Sequence, residues 1–230
     1  MKTARWDRGY LRASRTATYG LLGIVPLFCI YEILAWFGSR RSMIEARNSI
    51  DLWLRSLIES LGLNAQWVLI VCLALALLSA LWLREASTTP LRMSYFFLMI
   101  LEGAAYAAVI GYPLSRLTRS LLSASPLTSS QLMLAFGAGA YEELIFRALF
   151  YDVTVRTLRR YYAMPARSAY IAAAVFSSFL FSAFHGEPLS FYNSLYRFFT
   201  GVLFCALYSG RGLAVTAWTH TLYDLFLLVA

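Results

Sequence analysis

Tyr141-Glu142-Glu143-Leu144-Ile145-Phe146-Arg147 interrupts an apolar run covering about residues 130–151. A run of that size matches the ~20 residues a helix needs to cross a bilayer. Working outward, similar runs occupy about 18–37, 66–83, 93–115, 168–185, 196–209 and 212–229. The 230-residue chain is 60% hydrophobic and only 14% charged, whereas soluble domains carry about 25% charged residues. This excess of apolar surface excludes a water-soluble enzyme and a disordered chain. The predicted fold is all-α: a polytopic transmembrane helical bundle of about seven spans, forming one membrane domain over 1–230. Between the first two runs, Ile50, Trp53, Leu54, Leu57, Ile58 and Leu61 recur at helical spacing, with Asp51, Arg55 and Glu59 on the other side. This amphipathic helix is expected either to lie in the membrane interface or to pack on an extramembrane loop.

The net charge is +8, from 20 basic and 12 acidic residues. The basic residues sit at the ends of apolar runs, where they face the cytoplasmic leaflet, and no basic stripe is interleaved with aromatics as nucleic-acid binding would require. Lys2, Arg5, Arg8, Arg12 and Arg15 in the N-terminal segment, and Arg156, Arg159, Arg160 and Arg167 in 152–167, place both segments on the cytoplasmic side. Cys29, Cys72 and Cys205 each lie inside an apolar run and read as packing residues. Trp36, Trp53, Trp67 and Trp82 cluster near run ends as interfacial anchors.

Ionisable groups at membrane depth are costly, so each is a functional candidate. Glu143 and Arg147, four apart, share a helix face and can pair. Glu142 is rotated from Glu143 by about 100° and lacks that local partner. A poorly solvated carboxylate left free in this way can serve as a general base. His185 follows Phe181 at the end of the fifth run, and His220 and Asp224 share a face of the last. Asp224 is thereby expected to orient the imidazole and fix its tautomer. These are the two histidines of the chain, and both lie in the half that holds the paired glutamates.

Glu142-Glu143…Arg147, Phe181…His185 and His220…Asp224 together resemble, in order and interval, the motifs of the CPBP glutamic-type intramembrane proteases. That family includes type II CAAX prenyl endopeptidases and Abi-like bacteriocin-processing and immunity proteins. Arg197-Phe198-Phe199-Thr200-Gly201 is similar to its Arg-Phe-x-x-Gly segment. The resemblance covers about 130–229, the expected catalytic core. It implies peptide-bond hydrolysis in or at the edge of the membrane, with Glu142 and His185 activating water, His220 and its neighbour at 224 stabilising the oxyanion, and Arg147 holding Glu143. The family often has Asn where this chain has Asp224; an ionised Asp cannot donate to an oxyanion, so Asp224 orients His220 or is protonated.

The favoured reading needs no cofactor. Its metal-dependent alternative is zinc held by His185, His220, Glu142 and Asp224. The expected partners are the bilayer and a membrane-bound protein or peptide substrate, lipidated or bearing a C-terminal anchor, with no nucleic acid. The expected location is a bacterial inner membrane. A proton-coupled transporter and a catalytically inactive scaffold are the competing classes; the transporter predicts pseudo-symmetric halves, and none is visible. Glu32 and Glu102 are expected as cavity-lining groups or polar glue between helices, Glu187 at the water interface, and Arg197 as a partner for a carboxylate. On straight helices Glu142 and His185 would differ in depth by on the order of 10 Å at 1.5 Å per residue, so the motifs meet only if spans tilt or the fifth helix starts earlier.

Overall fold

In the computed structural model, which describes residues 9–39, 47–85, 91–118, 128–185 and 191–229, the described residues fold into helices alone. These are α1 (Ala17–Ser39), α2 (Ser49–Ser60), α3 (Ala65–Glu85), α4 (Met93–Thr118), α5 (Ser129–Gly137), a π-helical segment (Ala138–Tyr151), α6 (Asp152–Tyr161), α7 (Ala166–Ala183), α8 (Phe191–Arg211) and α9 (Leu213–Val229). Three are long and apolar enough to cross a membrane: Ala17–Phe37, Met93–Gly111 and Ala166–Ala183. The pair Ser49–Ser60 and Ala65–Ser79, bent by 111°, adds a fourth as a broken span or re-entrant loop. The all-α polytopic architecture is as expected, but this count of three to four does not reach about seven. One physical reason is that the 130–151 run carries Glu142, Glu143 and Arg147 and changes helical register within itself. Another is that α9 has only 17 residues.

The core gathers around α9. Ala214, Val215, Thr216, Ala217, Thr219 and Thr221 are fully buried, between α1, α4 and the π-helical segment. Small residues let these helices approach. A Cβ on Gly103 of α4 would come within 3.0 Å of Trp218 Cβ, and one on Gly23 of α1 within 2.5 Å of Ala214 Cβ. The buried hydroxyls of Thr216 and Thr219 donate to the carbonyls of Gly212 and Val215, four residues earlier, which removes their need for outside partners. Gly212 turns the chain between α8 and α9 at φ +86°, a conformation that favours glycine.

Two polar ties fix the periphery. Arg211 at the end of α8 binds both carboxylate oxygens of Glu102 on α4, and Tyr10 donates to the same carboxylate. Burial and then the Glu102 hydrogen bond push the Tyr10 phenol well above its ordinary range, so it stays protonated and donates. Glu102 is therefore glue between helices. Cys29, Cys72 and Cys205 are all free thiols.

The segment carrying Glu142 is one continuous helical rod from Ser129 to Tyr161, opened by a capping box between Thr128 and Gln131. The arginines at 156, 159 and 160 thus lie on a helix, α6, that continues the rod. After the short turn 162–165, α7 runs back against the rod. Glu142 stands 19 residues before Tyr161, and His185 19 residues after Ala166. The two arms of the hairpin are similar in residue count, and Glu142 Oε2 and His185 Nε2 come within 3.7 Å, so the expected depth mismatch disappears.

Gly139 packs so closely on α9 that a Cβ there would overlap Thr221 Oγ1 and lie 2.6 Å from the carbonyl oxygen of Ala217. Gly139→Ala is expected to destabilise the protein by about 1–3 kcal/mol. Gly210→Ala meets nothing within 4 Å and should not. Thermal unfolding of the two variants in detergent tests this, and equal melting temperatures would refute the close-packed contact.

Candidate functional site

A π-helix closes its hydrogen bonds from i to i+5 and winds more residues into each turn than an α-helix. Successive side chains therefore diverge by less than the α-helical ~100°. In this segment Glu142 and Glu143, expected to point apart, both reach His220. Phe146 O also accepts a hydrogen bond from Ser177 Oγ of α7 at 2.5 Å.

Glu143 is fully buried and ion-paired with Arg147, Nε to Oε2, at 3.1 Å. Arg147 is itself fully buried. Its guanidinium carbon lies 4.6 Å from the ring centroid of Phe181 and 5.4 Å from that of Phe204, so aromatic faces supplement the single carboxylate. The other oxygen of Glu143 is 2.7 Å from His220 Nδ1. With Glu143 accepting there, Nδ1 carries the proton and Nε2 turns to the opposite side. Phe204 stacks on the imidazole at 4.6 Å, and Phe181 meets its edge. Orienting His220 is the place expected for Asp224. The structure gives that bond to Glu143, and Asp224 Oδ2 stands 3.7 Å from His220 Nε2.

Glu142 is 4% exposed. Its Oε1 accepts from Asn48 Nδ2 at 2.7 Å, while Oε2 has no hydrogen-bond partner among the described residues. That oxygen lies 3.7 Å from His185 Nε2 and 3.9 Å from His220 Nε2. His185 bonds its Nδ1 to the carbonyl of Phe181 at 2.7 Å. The carbonyl can only accept, so Nδ1 holds the proton and Nε2 faces Glu142. One carboxylate oxygen and two imidazole nitrogens thus converge on a point. His185 and Asp224 keep 25% and 30% of their side chains exposed and form its open side.

Asn48 was not among the expected residues. It is the N-cap of α2: its Oδ1 accepts from Ile50 N, its backbone N–H donates to Tyr31 Oη, and its amide nitrogen holds Glu142. Behind it, Tyr31, Arg47 and Arg55 all donate to the fully buried Asp51, each at 2.7 Å. Arg55 continues to Glu32 at 2.9 Å, and Tyr141 also donates to Glu32. Burial works against the charge of Arg47, but its hydrogen bond to Asp51 and the nearby carboxylates outweigh it and push its pKa up. Helix α2, expected in the membrane interface or on an extramembrane loop, turns part of its polar face into the protein. Asp51 points inward, and Trp53, Leu57 and Leu61 point outward. A cap followed by an acidic residue, Asn48-Ser49-Ile50-Asp51, was the legible signal of where this helix starts.

Among the described residues no three His, Cys, Asp or Glu groups are placed to hold a metal ion. Arg197 leaves a buried nitrogen without a hydrogen bond among the described residues, and Glu187 lies outside them.

Fold and site define a membrane-embedded helical protein centred on buried glutamates and two histidines. The family model for type II CAAX prenyl endopeptidase, Rce1-like, matches residues 124–226, a stretch containing all three motifs. Over that stretch the chain matches the CAAX protease family. No curated protein and no solved structure matches it.

The bond from Asn48 to Glu142 can be tested by exchange. Asn48→Asp keeps the helix cap but sets two carboxylates against each other. It should cost more stability than Asn48→Ala, which loses about 1 kcal/mol for the cap and ~1.5–3 kcal/mol for the charged hydrogen bond. Adding Glu142→Gln to Asn48→Asp restores a donor and should recover most of the loss in thermal melts. Additive behaviour of that pair would sink the contact.

Proposed function

We propose that this chain is an intramembrane endopeptidase that hydrolyses a peptide bond in a membrane-associated protein or peptide, either lipidated or bearing a C-terminal anchor. The supporting observation is Glu142 Oε2, buried and unbonded, facing Nε2 of both histidines at 3.7 and 3.9 Å. Those separations exceed direct hydrogen-bond reach and suit groups that share a small molecule between them.

In this reading a water donates towards Glu142 Oε2 and His185 Nε2, and its oxygen attacks the scissile carbonyl carbon. One proton passes to Glu142, and the carbonyl becomes a tetrahedral oxyanion. His220, held at Nδ1 by Glu143, donates from Nε2 as the imidazolium to that oxyanion. The carbon–nitrogen bond then breaks, and the amine leaves with the proton that Glu142 returns. Asn48 fixes Glu142 by its other oxygen, and Arg147 neutralises Glu143. Both are positioning residues. Asp224, at the open side, supports the charge on His220. Apolar walls from Phe181 and Phe204 keep the local dielectric low, which strengthens both the base and the oxyanion donor.

The catalytic core in this proposal is 130–229, within one membrane domain over 1–230, and α2 supplies Asn48 from outside that core. The basic N-terminal segment favours a bacterial inner membrane, with that segment in the cytoplasm.

Cells expressing wild-type protein and Glu142→Gln at equal membrane abundance should differ in the new peptide termini of membrane-associated proteins. Loss of the general base is expected to lower their yield by about 10²–10⁴-fold. If folded wild-type and variant give the same termini, proteolysis at this site is wrong, and transport or a scaffold takes its place.

A further inference from the structure

A crevice of about 890 Å³ lies away from the glutamates, on the other face of the rod that carries them. It exists because two tightly packed helix pairs diverge there. Helix α1 is held to α9, with Trp218 Nε1 donating to the carbonyl of Gly23. Helix α7 is held to α8, where a Cβ on Gly201 would press on Ser178 at 2.9 Å. Between them the walls carry Gly20, Ala148, Ala174 and Ala206, side chains too small to close the gap.

The lining is polarised. One end presents Arg15, just before α1, and Arg156 of α6, with Asp152, Tyr208 and Ser209 beside them. Asp152 is already engaged, accepting from Tyr208 at 3.1 Å and from Arg156 at 3.3 Å. Arg156 remains 80% exposed, and Arg15 has no ion pair among the described residues. Two cations against one carboxylate leave a net positive end. The rest is apolar: Leu21, Ile171, Val175, Val202 and Leu213.

Its lining identifies the occupant: two arginines suit an anionic headgroup, and the apolar walls of α7 and α8 suit an acyl chain. Its charged end is formed by the two segments whose arginines mark the cytoplasmic side, where anionic lipids concentrate. The geometry points to a structural binding site for one anionic glycerophospholipid, its phosphate between Arg15 and Arg156 and an acyl chain along α7 and α8. The chain would rest on Ala148 and Tyr151, the last turn of the π-helical segment. This inference does not depend on the proposed reaction.

The test is native mass spectrometry and thermal unfolding of the full chain, delipidated in detergent and titrated with dioleoyl-phosphatidylglycerol or dioleoyl-phosphatidylcholine. Wild type should bind one phosphatidylglycerol, and two surface arginines predict a preference over phosphatidylcholine of about tenfold or more. Arg15→Gln with Arg156→Gln should abolish the preference while either lipid still binds. Arg15→Lys with Arg156→Lys should retain most of it, which separates charge from misfolding. Ala206→Phe, at an exposed position on the crevice wall, should exclude both lipids. Inorganic phosphate should neither bind measurably nor raise the melting temperature. Equal binding of the two lipids by wild type, a preference that survives the glutamine pair, or stabilisation by phosphate alone each overturns the proposal.

Discussion

Two adjacent carboxylates buried on one helix in a membrane protein set the terms for everything around them. An unpaired buried charge costs several kcal/mol even after relaxation, and adjacent glutamates add mutual repulsion. Glu143 is answered by charge: Arg147 on one oxygen, His220 on the other. Glu142 receives a neutral donor, Asn48, on one oxygen only. The two solutions must coexist on neighbouring residues. Both side chains reach one side, where α9 and α7 deliver the histidines.

The N-terminal half is tied to this centre by polar contacts that a bilayer enforces. Water rewards a helix for hiding its apolar face; lipid reverses the preference, because the outward face already meets hydrocarbon. Helix α2 follows the second rule. Asp51, Arg47, Arg55 and Tyr31 form a closed network inside, and the indole of Trp53 and the side chains of Leu57 and Leu61 turn outward. The network leaves Asn48 at the one place where it can cap α2 and reach Glu142. Gly137 makes the room: a Cβ there would stand 2.6 Å from the Tyr31 ring and 2.9 Å from Asn48 Cβ.

The helical class, the membrane setting and the three motifs were legible in the sequence because each is local: an apolar run, a pair of neighbours, an i,i+4 spacing. The structure brings Glu142, Glu143, Arg147, His185 and His220 together as those motifs suggested, with Asp224 at the edge. What stayed hidden depends on distant partners. Asn48 lies 94 residues from Glu142, and no periodicity joins them. The orientation of α2 was not legible, because a hydrophobic stripe does not say whether lipid or protein lies against it. Hydropathy marked 130–151 as a span and the arginines after it as a loop, yet arginines with long apolar stems continue an amphipathic helix readily, and that continuation levels Glu142 with His185. The π register leaves no compositional mark at all.

The unequal treatment of the two glutamates is the informative feature. A polar network that is only partly satisfied is a stability defect, and a fold selected for stability alone would fill it. Glu143 is ion-paired with Arg147 and holds the Nδ1 side of His220, although Glu143 Oε2 and the Arg147 nitrogens make no hydrogen bond among the described residues. Glu142 Oε2, likewise unbonded, faces His185 Nε2 and His220 Nε2. Local rules are broken and left uncompensated where a protein acts. Here Glu142 is bonded through one oxygen only and faces both histidines, while Asn48 and Glu143 hold the groups of this cluster in place.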